Sequence, residues 1–152
     1  MKKIFIFIFI AIFLMFNTLE AKVSITSHSY QKVIKKKNIK WVKATKVIPG
    51  NVLLYHNSLK NEDKTTATNL VIVNAIPKHM QYIEGSAKCK NKCRVRYSVD
   101  GGKTFHTSKK LFMGKGKKRH RAKASEYTSI KWIVNSLKGG KKTFVQYKAK
   151  LE

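Results

Sequence analysis

Alternation of apolar and polar residues with a period of two limits the fold of this chain more than any other feature. Val95, Tyr97 and Val99 alternate with Arg94, Arg96 and Ser98. Ile130, Trp132 and Val134 repeat the pattern, and Val145, Tyr147, Ala149 and Leu151 repeat it again. Successive side chains on a strand point to opposite faces, so each of these segments carries one apolar face that must be covered. Sustained helical spacing is absent beyond residue 21. Strands are expected over residues 23–33, 39–47, 52–60, 67–74, 81–84, 94–99, 104–107, 128–135 and 143–151. Pro49-Gly50, Asp100-Gly101-Gly102 and Gly139-Gly140 supply turns. One apolar face per strand is buried when two antiparallel sheets pack face to face, which predicts an all-β antiparallel sandwich. The chain has 152 residues, enough for one domain, and its 43% hydrophobic content is enough to build a core in spite of the charge.

The N-terminus is read apart from the fold. Lys2 and Lys3 precede an unbroken apolar run over residues 4–16, followed by Asn17, Thr18, Leu19, Glu20 and Ala21. That order is the pattern of a cleavable secretory signal peptide, with Ala21 before the cut. Leu19 is bulkier than the small residue favoured two positions before the cut's final residue, which leaves the exact site open. The run is shorter than the roughly 20 residues a helix needs to cross a hydrocarbon core, although the same segment left uncleaved would act as an N-terminal anchor. No later stretch has membrane length, and no cysteine follows the cut to take a lipid. The expected organisation is a signal peptide over residues 1–21 and one domain over residues 22–152, periplasmic or secreted and without a transmembrane helix after signal removal.

Export changes how Cys89 and Cys93, the two cysteines of the chain, are read. An oxidising compartment favours a disulfide between them, closing a short turn between two extended segments. A structural zinc would need two further ligands, and His28, His56, His79, His106 and His120 show no paired spacing on one element. A redox pair would have two intervening residues, not three, and a helix start to lower a thiol pKa.

The segment Pro49-Gly50-Asn51-Val52-Leu53-Leu54-Tyr55, then Ala67-Thr68-Asn69-Leu70-Val71-Ile72-Val73-Asn74-Ala75-Ile76-Pro77, then Tyr82-Ile83-Glu84-Gly85-Ser86-Ala87, resembles the conserved-repeat Ig-like domain of bacterial surface and exported proteins. That family is catalogued as domain of unknown function number eleven. Asn51 and Asn74 stand where it usually has acids. The resemblance implies a sandwich at the cell surface and brings no catalytic or ligand residues with it, and a shared sandwich does not imply a shared role. A second run, Ser98-Val99-Asp100-Gly101-Gly102-Lys103-Thr104-Phe105, is similar to the aspartate-box hairpin of sialidase-type propellers, where the box is a structural turn. One box cannot make a propeller, which needs several four-stranded blades.

Catalytic constellations are not found. Beyond residue 21 the acids are Glu62, Asp63, Glu84, Asp100, Glu126 and Glu152, with no spacing that suggests a paired acid and base. The chain has no nucleophile elbow, no His-Glu-x-x-His and no phosphate-cradling glycine loop. A non-enzymatic protein is expected, with no cofactor, no metal and no small-molecule substrate.

Charge remains. Lys and Arg number 33 against 7 Asp and Glu, a formal charge of +26. Clusters occur at Lys35-Lys36-Lys37, at Lys88, Lys90 and Lys92, and at Lys109-Lys110. The densest contains Lys115, Lys117, Lys118, Arg119 and Arg121, on what reads as a mobile loop between strands. Such a loop would attract polyanions: lipopolysaccharide or teichoic acid, anionic lipid, or extracellular DNA. The only arginines are Arg94, Arg96, Arg119 and Arg121, too few bidentate forks for sequence-specific nucleic-acid readout. The same charge is equally the solvated surface of a lysine-rich composition. Two functions follow: a structural or protein-interaction module of the bacterial envelope, with an unknown envelope protein as partner, or a basic protein that binds an anionic envelope polymer.

Overall fold

The two-residue alternation translates directly into pairing. The computed structural model describes residues 22–35 and 38–152; the expected signal segment lies outside these residues, as do Lys36 and Lys37. The strands are β1 (Val23–Lys35), β2 (Asn38–Lys43), β3 (Val52–Asn61), β4 (Ala67–Ala75), β5 (Met80–Tyr82), β6 (Lys88–Cys89), β7 (Cys93–Ser98), β8 (Phe112–Met113), β9 (His120–Arg121), β10 (Ser129–Leu137) and β11 (Lys142–Leu151). Every pairing is antiparallel. The larger sheet has the order β2-β1-β3-β11-β5, with β6 also on β11; the smaller has the order β4-β10-β7, and β8 pairs with β9. The chain is the expected antiparallel sandwich.

Each sheet has a central strand that contributes the inner residues. On β10, Ile130, Trp132 and Val134 are fully buried, and on β11 so are Val145, Tyr147 and Ala149. Trp132 stands opposite Ile72 of β4 and Val95 of β7 and reaches Tyr147 of the other sheet, with ring centroids 6.1 Å apart. The core is rich in tyrosine. Tyr55 stacks on Tyr147 at 4.8 Å, and Tyr82, Tyr97 and Tyr127 form a neighbouring cluster. Burial raises the Tyr97 and Tyr147 hydroxyls above the ordinary phenol range, so both stay neutral; the Tyr147 hydroxyl donates to the Ala75 carbonyl at 3.2 Å. Two buried asparagines find partners. Asn57 Nδ2 donates to Asn74 Oδ1 at 2.8 Å, and Asn61 Nδ2 donates to the carbonyls of Thr65 and Leu137.

Two expectations need correction. Residues 104–107 do not form a strand: a single bridge joins His106 to Tyr97, because Asp100 holds the Thr104 amide in a tight turn instead of a ladder. The strand expected over 39–47 ends at Lys43, ahead of the turn that Pro49-Gly50 completes. Three two-residue strands, β6, β8 and β9, are too short for alternation to reveal.

Candidate functional site

The cysteines stand where expected. Cys89 ends β6, Cys93 opens β7, and a disulfide joins them. Closing so short a loop stabilises modestly, about 2 kcal/mol on the chain-entropy argument. The bond ties an edge of the larger sheet to an edge of the smaller, since β6 pairs with β11 and β7 with β10.

The turn that follows β7 is the aspartate-box hairpin. Ser98 is fully buried, and its Oγ donates to Asp100 Oδ1 at 2.6 Å while accepting from the amides of Asp100 and Gly102. Asp100 in turn accepts from the Thr104 amide and hydroxyl. Hydrogen bonds from Ser98 and Thr104 hold the Asp100 carboxyl well below the usual carboxylate range, so the turn persists into acid that protonates an ordinary aspartate. Gly102 has a positive φ, and a Cβ there would sit against the Phe105 ring, which carries Lys131 Nζ 4.2 Å above it. The box therefore shapes one margin of the smaller sheet. Ser98→Ala is expected to leave two half-buried amides without their acceptor, at about 1–3 kcal/mol, and to lower the thermal midpoint by roughly 3–12 °C. A melting curve that does not move would show that the box contributes nothing to the fold.

The densest basic cluster is a ribbon, not a free loop. β8 and β9 pair through Phe112↔Arg121 and Met113↔His120, and Gly116–Lys118 form a 3-10 turn at the tip. Gly114 has φ +76°, and a Cβ there would collide with the Lys118 carbonyl, so the turn requires glycine. Leu111 and Ala122, the residues flanking the ribbon, are buried and fasten it to the core. Lys115, Lys117, Lys118, Arg119 and Arg121 are all exposed on it. The Arg119 guanidinium lies over the Phe112 ring at 4.6 Å, and Arg121 lines a small polar hollow with Lys109, Ser108 and Glu84. Lys35 to Lys37, at the β1–β2 connection, contribute no described side chains.

His120 joins this cluster. Its Nε2 donates to Glu126 Oε1 at 2.9 Å and its Nδ1 to the Lys118 carbonyl at 3.2 Å. Both partners only accept, an arrangement that favours the imidazolium, and the Glu126 hydrogen bond raises the His120 pKa above the ordinary histidine value. Glu126 is held low, first by the Lys123 amide and then by His120. Ion pairs among the described residues are His120–Glu126 and Lys60–Glu62, which leaves the five basic side chains of the ribbon without acidic partners.

A second surface was not singled out by sequence. β4 is an edge strand of the smaller sheet, and its outward residues Val71 and Val73 are 59% and 50% exposed. Its inward residues Leu70 and Ile72 pack on the core. The run Leu70-Val71-Ile72-Val73 is apolar on both faces, a pattern typical of strands covered on both sides. Ile133 of β10 continues the apolar strip beside Val71, and Lys131 and Arg96 border it.

No helix among the described residues is long and apolar enough to cross a membrane. No family model and no curated protein matches the chain. Among solved structures it is similar to a Corynebacterium diphtheriae protein described as membrane anchored, with TM-score 0.53 and 15% sequence identity over 88% of this chain and 28% of that one. At that identity the likeness shows the fold. This chain spans a little over a quarter of the larger protein's length.

Proposed function

We propose that the protein is an exported, non-enzymatic Ig-like module with a structural or protein-interaction role in the bacterial envelope. The observation that carries this is β4: an edge strand among the described residues, whose outer face exposes Val71 and Val73 and whose flank is cationic. Strand addition by a partner protein would pair that edge and cover those valines. The disulfide supports an oxidising compartment. The sandwich shared with a protein described as membrane anchored, and the resemblance to conserved-repeat surface domains, support placement in the periplasm or at the surface. On this reading the N-terminal run over residues 1–21 is the signal peptide that directs export and is removed.

Polyanion binding is the second function, favoured by the ribbon: five exposed basic side chains on one short hairpin, none in an ion pair among the described residues. Salt separates the two. Retention of the purified protein on isolated envelopes is expected to persist from low salt to about 0.5 M, where charge–charge attraction beyond a few ångströms is screened, and to fall at least about tenfold, 1.4 kcal/mol of lost contact, when Val71 and Val73 are both replaced by lysine. Release by salt alone, with the double variant behaving as wild type, would reject the β4 interface in favour of the ribbon.

A further inference from the structure

The outer face of the larger sheet, on the opposite side of the sandwich from β4, holds chemistry that neither function uses. Register sets its contents. Pairing of β1 with β3 and of β3 with β11 places His28 opposite His56 and His56 opposite Gln146, with Tyr30 and Phe144 one step away on the same face. The rings form a connected strip across three strands: His28 to Tyr30 at 6.2 Å, Tyr30 to His56 at 6.5 Å and His56 to Phe144 at 4.9 Å. His56 Nδ1 and Gln146 Oε1 are 3.2 Å apart, a hydrogen bond that leaves the ring's Nε2 for another partner.

Two grooves run along this face. One of about 480 Å³ is lined by His28, Tyr30 and His56 with the hydroxyls of Ser24, Thr26 and Ser58. The other, of about 400 Å³, is lined by Trp41, Val52, Ile83, Lys32 and Lys148. Lys148 Nζ stands 5.3 Å from the Trp41 ring centre. The face is cationic as well as aromatic, since Lys60 and Lys142 border the first groove and Lys32 and Lys148 the second. The acids at its margins are Glu62, engaged by Lys60 and Ser24, and Glu84.

We propose that this face binds an acidic polysaccharide, its sugar rings stacking on Tyr30, His56 and Trp41 and its carboxylates meeting Lys32, Lys142 and Lys148. A pyranose presents an apolar C–H face that suits an aromatic ring and an equatorial rim of hydroxyls that suits the Ser24, Thr26 and Ser58 side chains and His56 Nε2. A plain polyphosphate offers charge without the first of these. A neutral glycan offers the ring without the charge. The site is separate from the basic ribbon and stands or falls independently of it.

Intrinsic fluorescence reads the site, because of the two tryptophans Trp41 lines a groove while Trp132 is fully buried. Protein purified from its host would be titrated with a galacturonic acid hexamer, maltohexaose and inorganic polyphosphate. The hexamer is expected to shift the Trp41 emission and to bind about tenfold more tightly than maltohexaose; Tyr30→Ala, and separately Lys32→Gln with Lys148→Gln, should each weaken it by about tenfold. The variant lacking Lys117, Lys118, Arg119 and Arg121 should bind it as wild type does. Thermal melts establish that each variant is folded, and either groove variant suffices if the other is not. Polyphosphate binding as tightly as the hexamer, maltohexaose matching the hexamer, no hexamer binding, or full affinity in a folded groove variant would each overturn the proposal.

Discussion

Trp132→Ala is expected to destabilise the protein by about 3–5 kcal/mol and to lower its thermal midpoint by roughly 10–20 °C. The indole is fully buried on the central strand of the smaller sheet. It is held laterally by Ile72 and Val95 and meets Tyr147 of the facing sheet. Alanine removes the largest of the fully buried side chains from a place where neither sheet can close in without breaking its own ladder. The loss is a large part of the about 5–15 kcal/mol that holds a domain of this kind together. Trp132→Phe should cost far less. It keeps an aromatic ring in the layer and deletes an indole N–H that has no acceptor among the described residues, a group that is itself unfavourable to bury. Urea and thermal unfolding of the two variants test this together. An alanine variant that melts within a few degrees of wild type would mean that the sheets are not held through this ring.

What the sequence discloses and what it hides follow the range of the interactions concerned. The inward faces of β7, β10 and β11 are legible because alternation is local: Val95 and Tyr97, Ile130 to Val134 and Val145 to Ala149 all pack where the pattern puts them. The Cys89–Cys93 bond is legible from proximity in sequence and from the export that residues 1–21 lead one to expect. The box is legible as a turn, yet its consequence for residues 104–107 is not. Once Asp100 takes the Thr104 amide, that segment has no ladder to join beyond the His106 bridge. The openness of β4 is also hidden. An apolar run reads the same whether its second face is covered or bare, and only strand order shows that β4 is an edge. The ribbon reads as a loop because two residues per strand carry no period, although Leu111 and Ala122 on either side of it are apolar signals of anchoring. The aromatic strip is the least legible, since His28, Tyr30, His56 and Phe144 come from three distant segments that meet only through register.

Replacing Lys117, Lys118, Arg119 and Arg121 together with glutamine is expected to reduce affinity for heparin by roughly 10²–10³-fold at about 0.1 M salt. Each cationic contact to a dense polyanion releases condensed counterions, so binding falls with salt at a slope of roughly −0.7 to −0.9 per contact on a logarithmic plot. Loss of four such contacts should flatten that slope by about 3 as well as weaken binding. The fold should not suffer, since all four side chains are exposed and the ribbon is anchored by Leu111 and Ala122. Removing Arg119 does uncover Phe112, which it overlies. His120 adds a pH dependence of definite sign. Its pKa is raised by Glu126, so the ring is cationic at pH values where an ordinary histidine, with pKa about 6.5, is losing its proton. Heparin affinity of the wild type should therefore decline as pH rises through the raised His120 pKa, and His120→Gln should remove that step while leaving binding at high pH intact. A salt slope unchanged by the four substitutions would place polyanion binding on the diffuse lysine surface of the whole protein, and the ribbon would then be only a part of that surface.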